Sequence, residues 1–425
     1  MEEWKEYKIS EIIEEIAMGP FGSNIKVDNF IDLGIPVLNG SNLQGFKLNE
    51  DSFNYVSEEK ANSLGRANAF RGDVVITHRG TLGQIVYIPL DSKYERYVIS
   101  QSQFRLRLNQ NMIRPDFFVY FFHTRIGQHR ILMNASQVGV PALARPTSTF
   151  KEITIPVPPM EIQNRVMAIL LSLDDKIELN RRINENLEQQ AQALFKSWFV
   201  DFEPFKNAKF VDSELGKIPE GWKVVHADEV YNINIGKTPP RKERIWFSNS
   251  ESSNVQWVSI SDMGNCGAFI GNSKEYLTED AINKFNIIIV PKDTILLSFK
   301  LTIGRVAIAQ KELTTNEAIA RFYLPYSQYR EFTYLTLKNY DYSKLGSTSS
   351  IATAVNSKII KGMKILLPTN EHIKNFSTIV KPIFDLMESY SNEIDSLSEF
   401  RDTLLPRLMS GELKITDIVD KSLNE

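Results

Sequence analysis

Between Pro159 and Trp198, apolar residues recur at spacings that alternate between four and three: Val166, Leu170, Leu173, Ile177, then Leu187, Ala191, Leu194 and Trp198, with Asn180 and Asn184 as the two polar members of the row. The average period, about 3.5 residues, keeps one face of a helix turned toward a partner helix. The row returns near the end of the chain as Phe376, Val380, Ile383, Met387, Tyr390, Ile394, Leu397, Arg401, Leu404 and Leu408, each about 210 positions after its counterpart. Two long helices in matched register predict a duplicated unit, with one globular piece before each helix.

Inside the first piece the pattern shortens. Ser10 to Ala17 reads as a short amphipathic helix N-capped by Ser10, followed by the turn-rich run Met18 to Lys26. Ile35 to Leu38 reads as a strand leading into the polar loop Asn39-Gly40-Ser41-Asn42. Two β-rich runs within Gly72 to Ile88, around Arg79-Gly80, predict a hairpin. Gln103 to Leu108 alternates apolar and basic residues, as a strand with one packed and one charged face would, and Pro115 to Gln128 reads as a helix. The second piece repeats this order. Trp222 answers Trp4, Gly236 to Lys242 answers the Gly19 loop, Trp257 to Met263 answers Val37 to Leu43, and Lys292 to Ile308 answers the hairpin, with Lys300-Leu301 where the first copy has Arg79-Gly80. A shared frame with different loops is what two copies tuned to different ligands would show. Pro204 stops the first long helix, Gly411 is a C-cap for the second, and Pro382, inside the second heptad row, predicts a kink or break.

The chain has 425 residues and a hydrophobic fraction of 42%, which suits two domains plus an extended element. No apolar run approaches the roughly 20 residues of a bilayer span, and the acidic start (Glu2, Glu3, Glu6) is unlike a secretory signal. A single cysteine, Cys266, excludes intrachain disulfides and cysteine-cluster metal sites and fits a reducing cytoplasm. The net charge of −3 conceals segments of opposite sign: residues 1–59 sum to about −8, residues 60–150 to about +8 and residues 284–364 to about +7. The basic segments are either two faces able to meet phosphates or scattered solvated charges.

Four motifs in order around the duplication make the chain resemble the specificity (S) subunits of type I restriction-modification enzymes: Ile155-Pro156-Val157-Pro158-Pro159 leading into Glu161-Ile162-Gln163, Leu194 to Pro204, Gly216 to Trp222, and Leu404 to Gly411. Leu367-Pro368-Thr369 replaces the Pro-Pro ending in the second copy, and Ile373 stands where the first has Gln163. The resemblance implies an α+β fold with two pseudo-symmetric globular target recognition domains joined by two long helices that form an antiparallel coiled coil. The expected divisions are domain 1 at 1–155, a central conserved helix and linker at 156–212, domain 2 at 213–368, a C-terminal conserved helix at 369–412 and a tail at 413–425. It also implies the partners: double-stranded DNA, two methylation subunits that flip an adenine in each half-site, and restriction subunits, with S-adenosylmethionine, ATP and Mg bound by those subunits and none in this chain.

In such an arrangement each domain reads half of a bipartite target, and the helices leave the intervening bases unread. A straight helix of about 35 residues is roughly 50 Å long, comparable to one to one and a half turns of DNA. Asn180 and Asn184 would specify the register of the coiled coil, the alternative being a satisfied polar pair with no such role. Base reading calls for Arg or Lys to guanine and Asn or Gln to adenine on loops. Candidates in the first domain are Asn39, Ser41, Asn42, Arg79, Thr81, Gln101, Gln103 and Arg145, with Arg105 and Arg107 assigned to phosphate. Those in the second are Lys237, Thr238, Arg241, Lys242, Ser259, Ser261, Lys300, Thr302, Asn316 and Lys358. For each, a solvated surface role is the competing reading.

No methyl-transfer motif, phosphate-binding loop or nuclease core is found, and the five histidines show no ligand spacing. The expectation is a non-catalytic subunit without metal. Two rivals remain: a stand-alone DNA-modifying protein, which needs a catalytic domain, and a helical scaffold whose terminal domains bind proteins or glycans.

Overall fold

The computed structural model describes residues 4–133, 135–136, 140–252, 254–345 and 355–413, and divides into two compact units, residues 1–174 with 399–425 and residues 175–398. The tail expected at 413–425 lies outside the described residues beyond 413. Both borders fall inside the long helices, so each unit combines its sheets with a stretch of each helix.

The first unit is built on an antiparallel sheet in the order Ile13–Met18, Gln103–Leu108, Val74–Thr77, Ile85–Tyr87. The hairpin is as expected. The helix over Ser10 to Ala17 is not: only Ile9–Ile12 is helical, with Lys8 as its N-cap, and Ile13–Met18 is an edge strand. Pairing with Gln103–Leu108 along nearly its whole length bonds the backbone groups of its inner side, which outweighs a marginal helical period. A second, five-stranded sheet carries Ile35–Val37, and the strand Lys5–Lys8 pairs with Thr154–Val157 just before the first long helix. The helix expected over Pro115 to Gln128 is two helices, Pro115–His123 and Arg125–Leu132, broken where the Thr124 hydroxyl accepts from the Gly127 N–H at 3.1 Å. Gly127 sits so close to the preceding helix that a Cβ there would lie 2.5 Å from the Phe122 Cα.

The second unit repeats the frame. Asn232–Ile235, Ile319–Tyr323, Ile295–Ser298 and Val306–Ala309 follow one another in its sheet, as their four counterparts do, and Lys223–His226 pairs with Lys364–Leu367 before the second long helix.

The two long helices, Met160–Phe199 and Asn370–Met409, have 40 residues each. Within each unit their stretches run antiparallel. In the first unit, Val166, Met167 and Leu170 share a core with Leu404, Leu405 and Leu408, and Arg401 donates to Asp174 at 2.6 Å. In the second, Ala191 and Phe195 share a core with Phe376, Val380 and Phe384. Gln163, fully buried, anchors the start of the first helix by donating to the Met112 and Pro158 carbonyls and accepting from the Arg114 N–H, all at 2.9 Å. The second copy fills that place with buried Ile373. Of the kink or break expected at Pro382, the break does not occur: the helix runs through this proline. It lies on the exposed side, as does Thr378, whose carbonyl loses its partner there and is free to be hydrated. Gly411 takes the left-handed conformation of a C-cap at φ 71°.

Candidate nucleic-acid interface

In the first unit, backbone pairing draws five loops to one end of the main sheet. The Gly19 N–H donates to the Gln103 carbonyl at 2.8 Å, the His78 N–H to Ser102 at 2.8 Å, the Gly80 N–H to Pro141 at 2.9 Å and the Leu143 N–H to His78 at 2.9 Å. Gln84 ties in the fifth loop, donating from Nε2 to the Gly40 carbonyl at 3.1 Å. The segments 19–24, 39–42, 78–84, 100–103 and 140–145 therefore form one cluster. Ser41, Arg79, Thr81, Gln101 and Arg145 are exposed on it.

Other candidates in this unit have internal duties. Gln103 is fully buried, and its side-chain oxygen accepts from the Ser100 N–H at 2.9 Å. Buried Asn42 donates to the Asn49 and Ser52 carbonyls at 3.0 Å, while Asn39 caps the same turn by accepting from the Ser41 N–H at 2.8 Å. The phosphate assignment fails for buried Arg105, and Arg107, though half-exposed, is held by an acidic partner. Arg105 is 3% exposed and donates to Glu15 at 2.7 Å and Asp73 at 3.4 Å, and Arg107 donates to Asp73 at 3.0 Å. Partial burial pulls the Glu15 carboxyl upward, but the hydrogen bonds and charges of Arg105 and Arg66 together hold it below its ordinary value. Burial raises Asp73 despite both arginines. Arg66, Arg71 and Arg114 are likewise held by Glu15, Glu95 and Asp116. Part of the basic excess in residues 60–150 is thus taken up by ion pairs within the unit. Arg79, Arg125 and Arg145 make no ion pair among the described residues.

The second unit gathers the matching loops. The Lys237 N–H donates to Thr315 at 2.9 Å, the Asn316 N–H to Val258 at 3.0 Å and the Phe299 N–H to Ala318 at 2.9 Å, while Arg305 donates to the Ile260 carbonyl at 2.6 Å. Lys242, Ser261, Lys300 and Thr302 are exposed on this cluster; Lys237 is exposed too, but its ammonium donates to the Phe285 and Asn286 carbonyls at 3.1 Å, and half-buried Thr238 is hydrogen-bonded to Glu317. Ser259 is an N-cap, accepting from the Asp262 N–H at 3.3 Å, and the Asn316 side chain accepts from the Ala318 N–H at 3.0 Å. Arg241 pairs with Glu275 at 2.7 Å and lies over the Trp257 ring at 4.3 Å, which fixes its guanidinium plane. Lys358 is not brought to the cluster. It lies in the helix Ser357–Lys361, which packs on Ala227–Val230 at the opposite end of the strand preceding Lys237. Sequence reasoning missed Glu317, an exposed acceptor beside these donors and able to meet a cytosine amino group; its only signal was adjacency to Asn316.

Across the helix pair of the second unit, Asn180 donates to Glu393 at 2.9 Å and Asn184 to the Met387 carbonyl at 3.3 Å, and the side-chain oxygen of each asparagine is buried without a partner. Among the described residues, no group of His, Cys, Asp and Glu could hold a metal ion, and no helix is long and apolar enough to cross a membrane. Burial pushes the Cys266 thiol up to about 12, which leaves it unreactive.

The sequence matches the family described as "Type I restriction modification DNA specificity domain" over residues 1–189 and 219–399, once for each half of the duplication. It is 28% identical to the type I restriction enzyme HindI specificity subunit of Haemophilus influenzae over 77% of this chain and 83% of that protein. It is 26% identical to the MjaIX specificity subunit of Methanocaldococcus jannaschii over 98% of this chain and 95% of that protein. Among solved structures it is similar to the S subunit of a type I restriction-modification system from M. genitalium, at 17% identity over 96% of both chains with a TM-score of 0.49.

Proposed function

This chain belongs to the type I restriction modification DNA specificity family, and from that premise we propose that it is the subunit that selects the DNA target of such an enzyme, each globular domain reading one half of a bipartite site. One observation carries the reading: a duplicated frame presents two loop clusters with different exposed donors, Ser41, Arg79, Thr81, Gln101 and Arg145 on one and Lys242, Ser261, Lys300 and Thr302 on the other. Equal frames with unlike loops suit unlike half-sites.

The antiparallel helix pair sets the spacer, because bases between the half-sites meet helix rather than loops. Asn180 and Asn184 fix its register: sliding one helix against the other would strand their buried amides. The chain supplies recognition and no catalysis. Two methylation subunits dock on the helices and bring S-adenosylmethionine for adenine-N6 methylation, and restriction subunits bring the ATP- and Mg-dependent endonuclease. The assembly acts in the cytoplasm.

Methylome sequencing of a host carrying this subunit with its cognate partners reads the target directly, and binding of the purified complex to that target is then titrated with salt. A split motif and affinity that falls steeply with salt are expected. Binding without sequence preference or salt dependence would favour the scaffold reading instead.

A further inference from the structure

Each loop cluster carries a strongly protruding apolar side chain that recognition by hydrogen bonds does not use. In the second unit it is Leu301, 100% exposed at the tip of the hairpin loop between Lys300 and Thr302. Its backbone is left-handed, at φ 62°, a conformation that penalises any residue with a Cβ. The Thr302 N–H closes a tight turn onto the Lys300 carbonyl at 2.7 Å, so the leucine is held at the apex. The first unit places Gly80 at this position, at φ 90°.

In the first unit the protruding residue is Phe21, 84% exposed in the loop Gly19-Pro20-Phe21-Gly22. Gly19 is pressed against the cluster backbone, where a Cβ would lie 1.9 Å from the Ser100 carbonyl oxygen, and Gly22 faces the end of the Gln101 side chain. The loop is thereby fixed while the ring stands clear of it. The corresponding loop of the second unit, Gly236-Lys237-Thr238-Pro239-Pro240, has no aromatic residue.

Isolated exposed apolar residues are ordinary. A leucine that gives up both burial and a relaxed backbone, at a loop tip where the sister copy uses glycine, is not accounted for by folding. Resting on the DNA-reading function above, we propose that Phe21 and Leu301 are wedges, each entering a groove of its half-site and partly unstacking a base step. Lys300, next to Leu301, and Arg79, on the same loop cluster as Phe21, hold phosphates or base edges of the two half-sites. Such a wedge favours steps that kink easily, pyrimidine followed by purine, and so adds sequence preference where no hydrogen bond is made.

The test uses the complex of this chain with its methylation partners and its own target duplex. 2-Aminopurine is placed in turn at positions of each half-site other than the methylated base, so that flipping of that base does not contribute. The wild-type complex is expected to raise emission at one position in each half-site. Leu301→Gly should abolish the rise in one half-site and Phe21→Ala in the other, each with roughly tenfold weaker binding. Leu301→Gly should also raise the thermal midpoint of the protein, because glycine adopts the left-handed backbone without strain. Variants that match the wild type in affinity and emission overturn the wedges while leaving the recognition reading intact. A wild-type complex that selects no sequence removes both.

Discussion

Asn180 and Glu393, separated by 213 positions, meet across the helix pair at 2.9 Å, with the amide oxygen of Asn180 buried and unpartnered on its other side. A polar residue so placed lowers stability and penalises every other register more. Asn180→Leu should therefore raise the unfolding free energy by on the order of 1 kcal/mol, and with it the midpoint, while the complex begins to accept targets of more than one spacer length. A lower midpoint with unchanged spacer choice contradicts the register role.

Arg105 and Arg79 should separate fold from recognition. Arg105→Met removes a buried cation shared by Asp73, 1% exposed, and Glu15, leaving them only Arg107 and Arg66 respectively, and is expected to cost about 2 kcal/mol in denaturant unfolding. Arg79→Ala should leave stability unchanged and weaken DNA binding, lowering the slope of log affinity against log salt by about one. If Arg105→Met leaves stability intact, the buried ion cluster has been misjudged.

His78 and His123 are both held below the ordinary histidine value of 6.5, in each case chiefly by burial, with hydrogen bonds to the Gln101 and Ile85 carbonyls opposing. The folded state therefore binds fewer protons than the unfolded chain near and below that value. Their contribution to stability is present above pH 6.5 and is lost as pH falls through the depressed folded values. Denaturant midpoints at pH 7.5 and 5.5, expected to fall on acidification, should differ less in His123→Gln; an unaltered difference assigns the pH dependence elsewhere.

A heptad inserted into each long helix, within Lys176 to Glu188 of the first and the facing stretch of the second, adds roughly 10 Å. At about 3.4 Å per base pair that is three further unread bases, with both half-sites unchanged in the methylome. Altered half-sites would show that the helices do not set the spacer.

Exchange of residues 1–155 for those of another family member should replace one half-site of the methylated motif and preserve the other. Loss of both would show that the two domains do not read independently.

The helices and the duplication were legible because their signal is local and repeated. Val166 to Trp198 and Phe376 to Leu408 keep one period over 33 residues each, and the fixed offset between the rows reveals the second copy without any knowledge of contacts. The hairpins were legible for the same reason.

Tertiary structure decided what depends on distant partners. Ile13–Met18 became a strand because Gln103–Leu108 pairs with it. The basic face of that second strand was taken for a phosphate surface, yet Arg105 reaches Glu15 across 90 positions and Asp73 across 32, separations at which no local pattern announces a counter-ion. Gln103, Asn42 and Ser259 had the right chemistry for bases, but buried backbone groups and turn ends claimed them. Residue type determined which side chains could recognise DNA; packing decided which of them were still free to do so, because a hydrogen bond already satisfied inside the fold is not available to a ligand.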